Sequence, residues 1–254
     1  FFRLYKTVGR PASSRVVFTK TFSIFTQCSS QENDGIGNMV FFNLKKKGLD
    51  RVWSTLDQKM EDILRNVASS KSRDLFPICV YHFSDTGKYI TNLFTSRKVN
   101  FHKLRSLSEL DTVSIEAWLH KTDVIVFNSN LISKVDLSGK RGHSPKIRSK
   151  FELHLIEHYP TPTRDDLLFD YLSHRSDISG SIAYVALSEP WLARIMGGNV
   201  RDLLAKMGLD ENEVIEHRLL SNSLRKAQVE IAEKVRRDFP YDSIEEWLAG
   251  NLPD

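Results

Sequence analysis

Apolar positions along this chain switch repeatedly between a helical period and short continuous runs, and these switches predict an alternation of helices and strands. From Lys47 to Val67, the residues Leu49, Val52, Trp53, Leu56, Met60, Ile63, Leu64 and Val67 fall on one stripe, which predicts a core-facing helix. The apolar run Ile78–Phe83, entered through Pro77, predicts a buried strand. Thr86–Arg97 follows as a helix with Tyr89, Ile90, Leu93 and Phe94 turned inward, then Val99–Leu104 as a strand and Ser108–His120 as a helix. Asp123–Phe127 and Phe151–Ile156 predict strands on either side of a loop over 131–150. Thr163–Arg175 predicts a helix capped by Thr163, with Asp165 and Asp166 in its first turn, where acids suit the helix dipole. Ile182–Leu187 is the last predicted strand. This order implies an α/β fold, a mainly parallel sheet with helices on both faces.

Beyond that strand everything reads as helix. Ser188 is a cap with Glu189 and Pro190 in the first turn, and Leu192, Ile195 and Met196 share a face before Gly197 and Gly198 stop it. A second short helix runs from Asn199 through Leu203, Leu204 and Met207 to Gly208. The stretch His217–Asp238, a stop at Pro240 and Asp242–Ala249 complete the chain. The expected organisation is an extended basic arm over 1–38, an α/β domain over 39–190 and a helical extension over 191–254.

Charge changes the picture in two places. The net charge is +4, yet residues 1–31 hold Arg3, Lys6, Arg10, Arg15 and Lys20 and no acid, which leaves the rest of the chain at −1. A near-neutral body is not a general nucleic-acid binder. The arm, rich in Ser and Thr, has the composition of a mitochondrial or plastid transit peptide, and the lack of an initial Met leads to the expectation that a presequence has been cleaved. Phe1, Phe2, Tyr5, Phe18, Phe22 and Phe25 interleave with its cations, which suits docking on RNA or in a protein groove. The 131–150 loop is the second basic place. Lys134, Lys140, Arg141, Lys146, Arg148 and Lys150 stand against Asp136 alone, a pattern fit for phosphate-backbone contact. Cys28 and Cys79 make neither a disulfide framework nor a metal spacing and fit a reducing compartment. No apolar run approaches the roughly 18 residues of a membrane span.

Candidate chemistry is sparse. His154, His158 and His174 with Glu157 raise a metal site, but nothing in their spacing makes them converge, and structural histidines are the expectation. Ser188 lacks the glycines of a nucleophile elbow. No G-x-x-x-x-G-K-[ST] phosphate loop occurs.

The order of residues in 188–228 says more than their propensities. Leu187-Ser188, Lys206-Met207-Gly208-Leu209, Ile215-Glu216-His217 and Ala227-Gln228 resemble, in sequence and spacing, the exit from the second RecA-like motor domain of SecA, the preprotein-translocase motor, into its scaffold helix. The resemblance extends back to Val124–Asn128 and to Leu153-His154-Leu155-Ile156, and threads about 150 to 180 residues onto the helicase second-domain type of fold. It implies an ATPase ancestry in which this domain supplies arginine fingers. The stretch equivalent to the finger helix, Phe169 to Ser176, keeps Arg175 alone and lacks the glycines, and Asn130-Leu131-Ile132-Ser133-Lys134 replaces a glycine-rich turn.

The expectation is therefore a non-enzymatic subunit without cofactor or metal, a degenerate SecA-like domain kept as a packing module in a large organellar assembly. The mitochondrial ribosome, in the matrix, leads, with plastid location as the alternative. Its partners are other subunits and rRNA, reached through the arm and the 131–150 loop, and it does not span a membrane. An accessory subunit of a preprotein translocation machine or of a mitochondrial membrane complex is the other reading.

Overall fold

The computed structural model describes residues 47–111, 119–133, 149–192 and 213–252. Six strands form one all-parallel sheet in the order β1-β6-β5-β2-β4-β3: β1 Lys47–Trp53, β2 Leu75–Tyr81, β3 Phe101–Lys103, β4 Val124–Asn128, β5 Lys150–Leu155 and β6 Ile178–Ala186. The helices are α1 Leu56–Ser72, α2 Ser84–Ser96, the single turn α3 Asn130–Ser133, α4 Pro162–Ser173, α5 Arg218–Lys234 and α6 Ile244–Asn251. The α/β expectation holds, and the central strands are the continuous apolar runs that burial on both faces requires.

Strand order fixes the layers. The crossovers β1→β2 and β2→β3 move one way across the sheet, and β4→β5 and β5→β6 move back. Right-handed crossovers then place α1 and α2 on one face and α3 and α4 on the other. The core divides accordingly. Met60, Ile63, Val67, Ile90 and Phe94 pack with Cys79, Val124 and Tyr184, while Ile132, Leu168 and Leu172 pack with Ile78, Phe127 and Leu153. Helix α5 lies beside α4 and against β1.

Several expectations needed correction. Lys47–Trp53 is not the start of a helix but the edge strand β1. The helix begins only after Thr55, whose side chain accepts from Gln58 N while the Gln58 side chain accepts from Thr55 N. That reciprocal cap outweighs the continuous stripe. The last strand starts at Ile178 rather than Ile182. Helix α4 is capped from Thr161, with Pro162 at its first position, not from Thr163. Within the predicted helix Ser108–His120, Leu107–Asp111 forms a 3-10 helix and 112–118 lie outside the described residues. Glu189, expected as an exposed dipole acid, is buried and salt-bridged to buried Lys59 of α1, and it also accepts from Trp191 Nε1.

Gly87 in α2 lies flat on the buried ring of Tyr81, where a Cβ would stand 2.3 Å from a ring carbon. Alanine gains about 1 kcal/mol in helix propensity, but here it must displace a packed ring. Gly87→Ala is expected to lower stability by about 1–3 kcal/mol in urea denaturation, as overpacking does.

Candidate functional site

In an open parallel sheet the ligand crevice lies at the carboxyl ends of the strands where the crossover direction reverses. Here that point is between β5, which leads into α4 on one face, and β2, which leads into α2 on the other. Both strand ends carry ionisable residues, His82 after β2 and Glu157 and His158 after β5.

Asp165, in the first turn of α4, is the hub. Its Oδ1 accepts from His82 Nε2 at 2.8 Å and from Tyr159 N at 3.1 Å, and its Oδ2 accepts from His158 Nδ1 at 2.6 Å and Gln228 Nε2 at 2.8 Å. Gln228, on α5, also donates to Tyr159 O at 2.7 Å. His158 Nε2 meets Asp50 Oδ1 of β1 at 3.1 Å. Both ring nitrogens of His158 therefore face carboxylate oxygens, which only accept, so the ring is an imidazolium. Burial works to lower its pKa, but the charges and hydrogen bonds of Asp165 and Asp50 prevail and raise it to about 9. Burial would raise Asp165, yet His158 and His82 hold its carboxyl far below the usual carboxylate range.

His82 turns its other nitrogen, Nδ1, to Ser129 Oγ at 2.7 Å, at the end of β4. Ser129, His82 and Asp165 thus have the distances of a nucleophile, base and orienting acid. Their surroundings do not support acyl transfer. Ser129 is 6% exposed, its N–H donates to Tyr81 O, and the N–H of Asn130 donates to Asn128 Oδ1. The donors that would form an oxyanion hole are already engaged.

Glu157 closes the other side of the crevice. Its Oε1 accepts from the N–H groups of His82 and Phe83, both at 3.0 Å, and its Oε2 lies 2.6 Å from Thr86 Oγ1. The carboxyl group sits on the N-terminal amides of α2, where an α/β protein receives an anion. Burial pushes its pKa up, against the pull of Thr86, Lys59 and Phe83 N–H.

The remaining candidates scatter. His154 lies in a separate buried chain, with Nδ1 at 2.8 Å from Tyr184 Oη and Nε2 near Ser70 and Glu152, and burial lowers its pKa. His174 is exposed at the end of α4. Among the described residues no group of three His, Cys, Asp or Glu could hold a metal. Arg175, the retained finger arginine, is buried in a bidentate pair with Asp177 at the opposite, amino edge of the sheet. Of the basic contact residues only Lys150 is described; it is exposed and donates to Ser176 O at 3.1 Å. Arg3, Lys6, Arg10, Arg15, Lys20, Lys134, Lys140, Arg141, Lys146 and Arg148 lie outside the described residues. Sequence reading missed Asp165 as a hub because its one signal, an acid in the first turn of a helix, is shared with its neighbour Asp166, which is half-exposed and pairs with Arg225.

The residues quoted for the SecA resemblance do packing work. Ile215 forms an antiparallel bridge with Val52 on the outer edge of β1. Glu216 pairs with Arg51. His217 Nδ1 caps α5 by accepting from Leu219 N at 3.2 Å. Ala227 and Gln228 are buried against the sheet. No helix among the described residues is long and apolar enough to cross a membrane.

No family model matches the chain. It is 21% identical over 203 residues to the protein translocase subunit SecA of Phocaeicola vulgatus, covering 77% of this chain and 18% of that protein. SecA of Pelagibacter ubique is 24% identical over 204 residues, 74% of this chain and 24% of that protein. A shorter match of 82 residues to SecA of Alkaliphilus oremlandii reaches 37% identity, over 31% of this chain and 9% of that protein. Among solved structures, the C-terminal domain of a possible DNA helicase from Lactobacillus plantarum superposes with a TM-score of 0.35 at 13% identity, over 58% of this chain and 79% of that one. The C-terminal part of the Fun30 ATPase domain superposes with a TM-score of 0.33 at 10% identity, over 67% and 54%. The chain is thus similar to SecA over about three quarters of its length while spanning about a fifth of the length of the curated relatives it matches.

Proposed function

We propose that this chain is a SecA-like second-motor-domain module that has lost ATP chemistry and serves as a non-catalytic binding subunit of a larger assembly. One observation carries the reading. The crevice that would receive a phosphate is filled by the chain's own carboxyl groups, Glu157 on the amides of α2 and Asp165 at the start of α4. An incoming polyanion would meet Asp165 and Asp50 with their hydrogen-bonding capacity directed inward. The motif residues that remain, Ile215 to His217 and Gln228, are those that fasten α5 to the sheet. Titration of a fluorescent ATP analogue with Mg²⁺, together with an ATPase assay, tests this. The expected result is no turnover and no binding tighter than about 1 mM, a free energy near −4 kcal/mol. Saturable micromolar binding overturns the proposal.

The assembly we propose is the mitochondrial ribosome, in the matrix. The acid-free, aromatic-bearing arm and the cations of 134–150 support it as rRNA contacts. The similarity to SecA favours a second reading, an accessory subunit of a protein-translocation machine. Sedimentation of the native protein from organelle lysate separates the two. Co-migration with a ribosomal subunit that collapses on RNase treatment is the expected outcome, and a large particle indifferent to RNase selects the second reading.

A further inference from the structure

We propose that the carboxyl-edge crevice is a docking site for an acidic, aromatic helical segment of a neighbouring subunit, and that α6 of the chain itself occupies it as a displaceable plug. Tyr159 stacks on Phe83 at 5.4 Å and forms the floor, directly at the junction of β5 and β2. Trp247 of α6, fully buried, sits edge-on to Tyr159 at 5.5 Å, with Leu248 buried beside it. The rim is cationic. Arg164 of α4 lies 4.3 Å from the Tyr159 ring centre, and Lys88 of α2 feels the charges of Asp242 and Glu246. The plug thus lies where an open parallel sheet takes its ligand, and its own chemistry states what fits: acids in a first turn, then a tryptophan and a leucine.

Two further features mark the segment as separable. It follows α5 through a stretch, 236–242, whose residues are all exposed. Its clamps are also internal: Ser243 caps α6, the Asn251 side chain exchanges two hydrogen bonds with the Phe239 backbone, and Trp247 Nε1 donates to Asp238. Its polar ties to the body are few: Tyr159 Oη to Asp238 at 2.6 Å, Asp85 N to Asp242 O at 3.0 Å, and the longer Arg164–Asp238 pair at 3.8 Å. The side chains of Trp247 and Leu248 leave with the segment as one face, and a partner helix of the same pattern fills the space.

The inference rests on the binding-module reading, and its test is independent of nucleotide. Hydrogen exchange is measured on the wild-type chain, and a labelled peptide of residues 241–252 is titrated into wild type and Trp247→Ala. The α6 amides are expected to exchange ahead of those of β2 and β5, by local opening. The peptide is expected to bind Trp247→Ala at least about tenfold more tightly than wild type, because the resident plug no longer competes. Exchange of α6 only together with β2 and β5 overturns the proposal, and so does a Trp247→Ala protein that keeps its protected sheet amides but ignores the peptide. Should that variant fail to fold, the wild-type exchange decides. Nucleotide binding would sink the proposed function while leaving the peptide result standing, so the two failures are distinguishable.

Discussion

Asp165→Ala is expected to cost about 3–5 kcal/mol of unfolding free energy, the range for leaving a buried charge without its partner. The carboxylate accepts four hydrogen bonds, from His82, Tyr159, His158 and Gln228. Removing it strips His158 of one of its two counter-charges and leaves three other buried donors without an acceptor. It also unties α5 from α4, since Gln228 bonds both to Asp165 and to the backbone of Tyr159. Asp166→Ala is the matched control. Its pair with Arg225 is about one-third exposed on both sides, and exposed pairs contribute about 0–1 kcal/mol. Urea denaturation of the two variants should separate them by at least about 2 kcal/mol. Equal losses would mean that Asp165 is no more than a helix-dipole acid.

Raising the pH should weaken the fold through His158. Its pKa is about 9 in the folded chain against 6.5 for the free side chain, so the folded state holds the proton more tightly. The contribution is fully present below about pH 6.5 and is lost as the pH climbs through 9. A displacement of this size is worth about 3 kcal/mol at 1.36 kcal/mol per unit of pKa. Stability should therefore fall between pH 6.5 and 9, and a His158→Gln variant, weaker at pH 6.5, should be flat across that window. The upper limit matters because buried Cys79, whose thiol burial pushes far up, adds its own alkaline loss above about pH 9. A wild-type profile that stays level from pH 6.5 to 8.5 would show that His158 is not held as an imidazolium.

The site inherits its geometry from topology. Placing β5 beside β2 brings Glu157 and His158 against His82, although 75 residues separate Glu157 from His82. The same neighbours that would frame a nucleotide instead satisfy one another, and no described buried side-chain nitrogen or oxygen lacks a partner. A closed network of this kind is rigid and resists solvent, which suits a packing module better than a catalyst.

The sequence by itself determined the alternation of strands and helices, because side-chain period and caps are local properties. Ile78, Val124 and Phe151 announced buried parallel strands, and the stretch from Ile215 to Gln228 announced the helix that leaves the sheet. Only the tertiary structure decided which charges matter. Asp165 and Asp166 are indistinguishable as residues in a first helical turn, yet one is the hub of a buried network and the other a surface partner. Glu189 and Lys59, 130 positions apart, look like ordinary surface charges until β6 and α1 bring them together. Lys47–Trp53 reads as helix until β6 supplies the hydrogen-bonding edge that makes it a strand. The physical reason is common to all three. Period and capping act within a few residues, whereas the meaning of a charge or of an unpaired backbone edge depends on what distant segments pack against it.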